Sequence, residues 1–170
     1  MSESYSFDQP ELFTTGTVGP KGQRTFYLQF GNAGSLATVK LEKGQVHALA
    51  EFLDQLLEDT GPIAPDEIPL ALELVEPVEA AWVVATIGVA FEEDAGHFVV
   101  VVEELIADDA DDDDTADDTD EPATAELRLA PGQIRAFIDR ARDLVRSGRP
   151  PCTYCGRPLD DDDQWCPCFN

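Results

Sequence analysis

Two stretches of this chain repeat each other, and the repetition limits the available folds more than any other feature. Residues 39–59 (VKLEKGQVHALAEFLDQLLED) align without gaps to residues 127–147 (LRLAPGQIRAFIDRARDLVRS), an offset of 88. Leu41/Leu129, Gly44/Gly132, Gln45/Gln133, Ala48/Ala136 and Leu56/Leu144 are identical, and Val46 and Leu49 meet Ile134 and Phe137. Each copy reads as the end of a strand, a Gly-Gln helix start and an amphipathic helix. Val46, Leu49, Leu53, Leu56 and Leu57 recur at helical spacing, as do Ile134, Phe137, Ile138, Ala141, Leu144 and Val145. Each set makes one apolar stripe that must lie against another element. Pro131 suits a first helical turn, where its missing N–H costs nothing, and Gly61 and Gly148 suit the stops.

β-rich runs precede each helix. Residues 12–18, 24–30 and 36–41 are separated by Gly-rich turns; residues 80–91 and 97–106 flank a turn at 92–96, and a short strand at 124–129 leads into the second helix. Both halves therefore read β-β-β-α. The predicted fold is α+β: two such repeats forming a mostly antiparallel sheet with two helices on one face, related by a pseudo-twofold axis. Residues 99–102, apolar without alternation, predict a central strand covered on both faces. Residues 1–60 form the first half, 61–69 a proline-dense linker and 70–148 the second half. A disordered acidic loop is expected at 108–121 and a separate tail at 149–170.

Charge narrows the partners. The formal net charge is −24, and ten of the acids fall within 108–121. Nucleic acid and anionic membrane are repelled by such a molecule at long range. The sign reverses locally: between residues 128 and 157 seven arginines stand against Asp139 and Asp143. The opening residues carry no basic segment followed by an apolar run, and a cytoplasmic location is expected.

The tail holds all four cysteines: Cys152-Thr-Tyr-Cys155, then Cys166-Pro-Cys168. In a reducing compartment such crowding argues for a metal rather than disulfides. A Cys-x2-Cys turn presents two thiolates to one ion, and Gly156 gives the chain freedom to close it. Cys152, Cys155, Cys166 and Cys168 are therefore the expected ligands of a structural Zn2+ in a zinc knuckle. With four thiolates the site is closed, with no open position for Lewis-acid catalysis.

These pieces resemble an uncharacterised, mostly actinobacterial family, domain of unknown function 3090. The resemblance is carried by Gly22-Gln-Arg-Thr-Phe-Tyr-Leu-Gln29, by the helix start Leu41-Glu-Lys-Gly-Gln-Val46, and by the tail Gly148-Arg-Pro-Pro-Cys-Thr-Tyr-Cys-Gly-Arg-Pro-Leu-Asp160 with Cys166-Pro167. It implies a tail in which a histidine and an arginine stand where this chain has Gln164 and Cys168. One ligand is lost and another gained nearby. No activity follows from the resemblance.

Two further groups are candidates. Arg135, Arg142, Arg146 and Arg149 share one helical face, and with Arg157, Tyr154 and Trp165 they make a basic, aromatic strip suited to a partner. Arg24, Lys43 and Gln45, with Lys40 and Glu42 nearby, converge on the first strand–helix junction as an anion or ligand patch. Neither His47 nor His97 has a nucleophile beside it in the pattern. The favoured function is a non-enzymatic interaction or scaffold protein whose zinc knuckle is a platform for another protein. The alternatives are an enzyme or binder acting on a phosphorylated small molecule, and a nucleic-acid-binding module using the arginine helix.

Overall fold

Both helices start by the same device. In a computed structural model of the chain, describing residues 2–70, 73–106, 121–148, 152–157, 159, 166 and 168, α1 spans Lys43–Glu58 and α2 spans Pro131–Arg146. At the third helical position, Gln45 Oε1 accepts the Glu42 backbone N–H at 2.8 Å, and Gln133 Oε1 accepts that of Ala130 at 3.0 Å. Each satisfies a backbone donor at the helix entry. The amide nitrogens reach across the molecule, Gln45 Nε2 to the Val84 and Ala85 carbonyls and Gln133 Nε2 to that of Pro10. The shared Gly-Gln signature is thus capping geometry that also fastens each helix to the other half.

The strands are β1 (Tyr5–Asp8), β2 (Leu12–Val18), β3 (Thr25–Asn32), β4 (Ser35–Leu41), β5 (Val84–Glu92), β6 (His97–Glu104) and β7 (Thr124–Leu129). They form a three-stranded sheet, β2-β3-β4, and a four-stranded one, β1-β7-β6-β5. All ladders are antiparallel except β1 with β7. The halves exchange their lead-in segments. β1, at the start of the first half, pairs in parallel with β7 of the second. Residues 81–83, which precede β5, run parallel to β4, with Lys40 N–H on the Trp82 carbonyl at 2.9 Å and Ala81 N–H on that of Thr38 at 2.8 Å. The helices cross over as well: they pack on each other, α2 lies on β2 and α1 on β5.

One core joins all of this. Phe26, Leu28 and Phe30 of β3, Val39 and Leu41 of β4, Phe98, Val100 and Val102 of β6 and Leu127 and Leu129 of β7 meet the apolar stripes of both helices. Phe137 stacks on Phe13 with centroids 4.6 Å apart, and Tyr5 and Phe7 place their edges against Phe30. Tyr5 and Phe7 thereby fix β1 to the first half while its backbone belongs to the second. β6 is central, but only one of its faces is buried: Phe98, Val100 and Val102 are inaccessible whereas Val101 is 38% exposed. The prediction of cover on both faces fails because a β-branched run satisfies sheet propensity on a solvent face as readily as on a core face.

The outer face of the three-stranded sheet is covered by chain. Buried Gln29 donates Nε2 to the Val75 carbonyl and to Thr38 Oγ1, both at 3.0 Å, and its Oε1 accepts the Val75 N–H at 2.7 Å. Leu74 lies over Gly16, where a Cβ would come within 2.4 Å of Leu74 Cγ. Residues 61–69 include a short 3-10 turn at Pro65–Glu67, and the Glu67 carbonyl sits against Gly132 at the start of α2. The acidic stretch from 108 onward lies outside the described residues except for Glu121. Among the described residues no helix is long and apolar enough to cross a membrane.

Candidate metal centre

Cys152 opens a tight turn. Its backbone N–H donates to the Arg157 carbonyl at 2.7 Å, and its carbonyl accepts the Gly156 N–H at 2.9 Å. This tight turn needs Gly156 at φ +73°, a left-handed conformation that a side chain disfavours. It aims the Tyr154 backbone N–H at Cys152 Sγ, 3.4 Å away. Donation of backbone N–H groups to a sulfur favours its thiolate form.

All four sulfurs lie within 4.8 Å of one another. Cys152 and Cys168 are 3.4 Å apart, Cys155 and Cys166 3.3 Å, and Cys166 and Cys168 3.2 Å. None is close to the disulfide length of about 2.05 Å, and all four cysteines are free thiols. A tetrahedron of four sulfurs, each about 2.3 Å from a central zinc, has edges of about 3.8 Å, which falls inside the observed span. Cys152 and Cys166 are buried while Cys155 and Cys168 face outward, so the cluster is held from within and closed at the surface. Among the described residues the donor set is four soft sulfurs with no carboxylate or imidazole, which suits a thiophilic ion. The Cys152 thiol is drawn down to about 6, chiefly by the backbone N–H of Cys155 and then that of Tyr154. Cys168 is pushed up, first by its hydrogen bond with Cys166. Negative charge on one crowded sulfur opposes it on the next, and a divalent ion offsets that opposition by favouring the thiolate of each ligand.

Beside the turn a concavity of about 480 Å³ opens between the two halves and the tail. Arg24, Lys40 and Lys43 line it, as do Phe26, Leu41 and Leu144. Gly148 after α2 and Gly156 of the cysteine turn form its far wall. The structure thus brings Arg24 and Lys43 of the expected ligand patch together. Gln45 does not line this concavity, because its amide is committed to the helix start and the Val84 and Ala85 carbonyls.

The proteins of unknown function grouped as DUF3090 match residues 5–166, nearly the whole chain and the cysteine turn with it. The chain belongs to this family. No curated protein and no solved structure matches it.

For this member of the DUF3090 family, Cys168, which stands where the resemblance implied an arginine, lies inside the sulfur cluster. Gln164, Trp165 and Arg149 lie outside the described residues. The remaining candidates of the basic strip have separate fates. Arg142 Nη2 bonds Glu51 at 2.9 Å and Asp54 at 2.7 Å, and Arg135 holds Asp54 and Asp139, both at 3.1 Å. These two arginines face α1 and serve the helix–helix contact, so they are not part of an open strip. Arg146 ends α2 on the exposed side, and Arg157 and Tyr154 are exposed on the cysteine turn, Tyr154 at 83%. Sequence reasoning missed the acids that claim Arg135 and Arg142. Their signal was present: Glu51 and Asp54 lie three apart on α1, within the stretch that aligns to the arginines. It also missed Gln29, whose buried amide has no periodic signature.

Proposed function

We propose that this DUF3090 protein is a non-enzymatic interaction protein of a reducing compartment, its C-terminal tail folded around a structural zinc ion as a platform for a partner protein. The observation that carries the reading is the convergence of Cys152, Cys155, Cys166 and Cys168 within 4.8 Å. When bound, zinc would cross-link the turn of Cys152 and Cys155 to Cys166 and Cys168; Cys152 and Cys166 would hold it from inside, Cys155 and Cys168 from outside. A four-thiolate set leaves no position for substrate, which favours a structural role over a catalytic one. Such an ion fixes the tail's shape, and exposed Tyr154 and Arg157 on that turn are the type of side chain that anchors protein interfaces.

The nucleic-acid reading is weakened by the net charge of −24 and by the commitment of Arg135 and Arg142 to Glu51 and Asp54. The test is affinity purification from the native cell with the natural chain and Cys166→Ser, metal content being measured on both. The reading expects zinc and a stoichiometric protein retained by the natural chain and lost together in the variant. Identical retained proteins in both preparations would overturn the platform.

A further inference from the structure

The concavity beside the cysteine turn has a charge unlike that of the molecule around it. The chain contains 35 acids and 11 bases, with lysine only at positions 21, 40 and 43. Two of those lysines and Arg24 line one cleft of about 480 Å³, against one acid, Glu42, among the described lining residues. Elsewhere Arg128, Arg135 and Arg142 each have a carboxylate partner. Among the described residues no ion pair is made by Arg24, Lys40 or Lys43. Arg24 spends two donors on Ser147, Oγ and carbonyl oxygen both at 2.9 Å, which fixes its guanidinium at the cleft and leaves further N–H groups.

The fold itself does not demand these cations. At the equivalent places of the second repeat, Lys40 and Lys43 are matched by Arg128 and Pro131. Arg128 is neutralised by Glu126 at 2.7 Å, and Pro131 carries no charge. The same strand–helix junction is therefore read twice in the sequence, and only one copy gathers in a cavity several cations that make no ion pair among the described residues. Lys43 is also the first residue of α1, where the positive end of the helix dipole adds to its own charge. The floor is different in kind: Phe26, Leu41 and Leu144 are apolar. Converging cations above an apolar floor, in a cavity of ligand size, suit a molecule with an anionic end and a less polar body.

We propose that this cleft binds a phosphorylated small molecule, its phosphate held by Lys40, Lys43 and Arg24 and its organic part resting on Phe26, Leu41 and Leu144. Two mobile ammonium groups and one anchored guanidinium match the three outer oxygens of a phosphate monoester. A neutral ligand leaves the lysines uncompensated, and a long polyanion meets the acidic surface outside the cleft. Gly156 in the wall places the cysteine turn in contact with the ligand, so the site deepens the platform reading while standing on residues that bind no metal.

The test is a titration of the full-length 15N-labelled chain, of measured metal content, with adenosine 5′-monophosphate, followed by amide shifts. Sodium chloride at matched ionic strength is the control. Saturable shifts at Gly22, Lys43 and Gly148 are expected, with half-saturation below about 10 mM. The exposed substitutions Lys40→Gln and Lys43→Gln together should weaken binding at least about tenfold, whereas Lys40→Arg with Lys43→Arg should retain it. Shifts that do not saturate or that match sodium chloride, or saturable shifts unchanged by the paired glutamines, would overturn the proposal. Binding by protein that carries no metal would sink the zinc reading alone; metal-loaded protein indifferent to the nucleotide would sink this one alone.

Discussion

Asp54 and Arg142 stand at equivalent positions of the two repeats, and they bond to each other, Oδ2 to Nη2 at 2.7 Å. The two helices pack on each other, and these matching positions meet across that contact. Identical charged residues there would repel, and the chain has an acid in one copy and a base in the other. Glu51 and Arg135 widen the contact to a network in which each Asp54 oxygen has its own arginine. Arg142→Gln is expected to cost about 0.5–1 kcal/mol, since the pair is partly solvated and screened. Arg142→Asp should cost more, because it places a third acid against Asp54 and Glu51. Urea unfolding of both variants measures the difference, and a double-mutant cycle with Asp54→Asn gives the coupling.

The same network makes an acid-sensitive contact. Asp54 is held below its ordinary value, first by the hydrogen bond from Arg142, with Arg135 adding to it and burial opposing. A carboxyl whose folded value is lowered contributes stability above its unfolded value of about 4, and that contribution disappears as pH falls through the folded value. Asp54→Asn removes the titrating group. Below pH about 4, the variant should therefore lose less further stability than the natural chain, as thermal melts across an acid series will show.

Two glycines that align in sequence should respond oppositely to alanine. A Cβ on Gly132 would fall 1.8 Å from the Glu67 carbonyl oxygen, a backbone atom that cannot swing aside. At Gly44 nothing lies within 4 Å. Gly44→Ala should stabilise by about 0.5 kcal/mol through lost unfolded-state freedom. Gly132→Ala should destabilise and release residues 65–68 from α2, seen as faster amide exchange there.

Gln29 is the polar clamp of the outer sheet face. Gln29→Leu strips partners from both the N–H and the carbonyl of Val75. Val75 is partly open to water, so the loss is that of ordinary hydrogen bonds, about 0.5–1.5 kcal/mol, and denaturant unfolding should move by about that amount. Hydrogen exchange at Val75 should quicken even in conditions where the core stays folded.

The local parts of this architecture were legible in the sequence. The helical stripes, the Gly-Gln starts and the strands before each helix are patterns within short windows, as is the spacing of Cys152 and Cys155. The non-local parts were not. β1 is four residues, Tyr-Ser-Phe-Asp, paired with β7 more than 100 positions away, and nothing in its composition names that partner. The arginine face of α2 was visible, but a helical face does not disclose what packs on it, and α1 does. In the cleft, Lys40, Lys43 and Arg24 were readable as a cluster near one turn. The rest of its lining, Leu144, Gly148 and Gly156, arrives only because the end of α2 and the cysteine turn return to the start of α1.

Metal analysis combined with thiol titration, on one reduced preparation of the full chain, bears most directly on the cysteine centre. One zinc per chain, with Cys152, Cys155, Cys166 and Cys168 unreactive until a chelator is added, is the predicted result. A chain carrying no stoichiometric metal, with all four thiols open to modification from the outset, would contradict it.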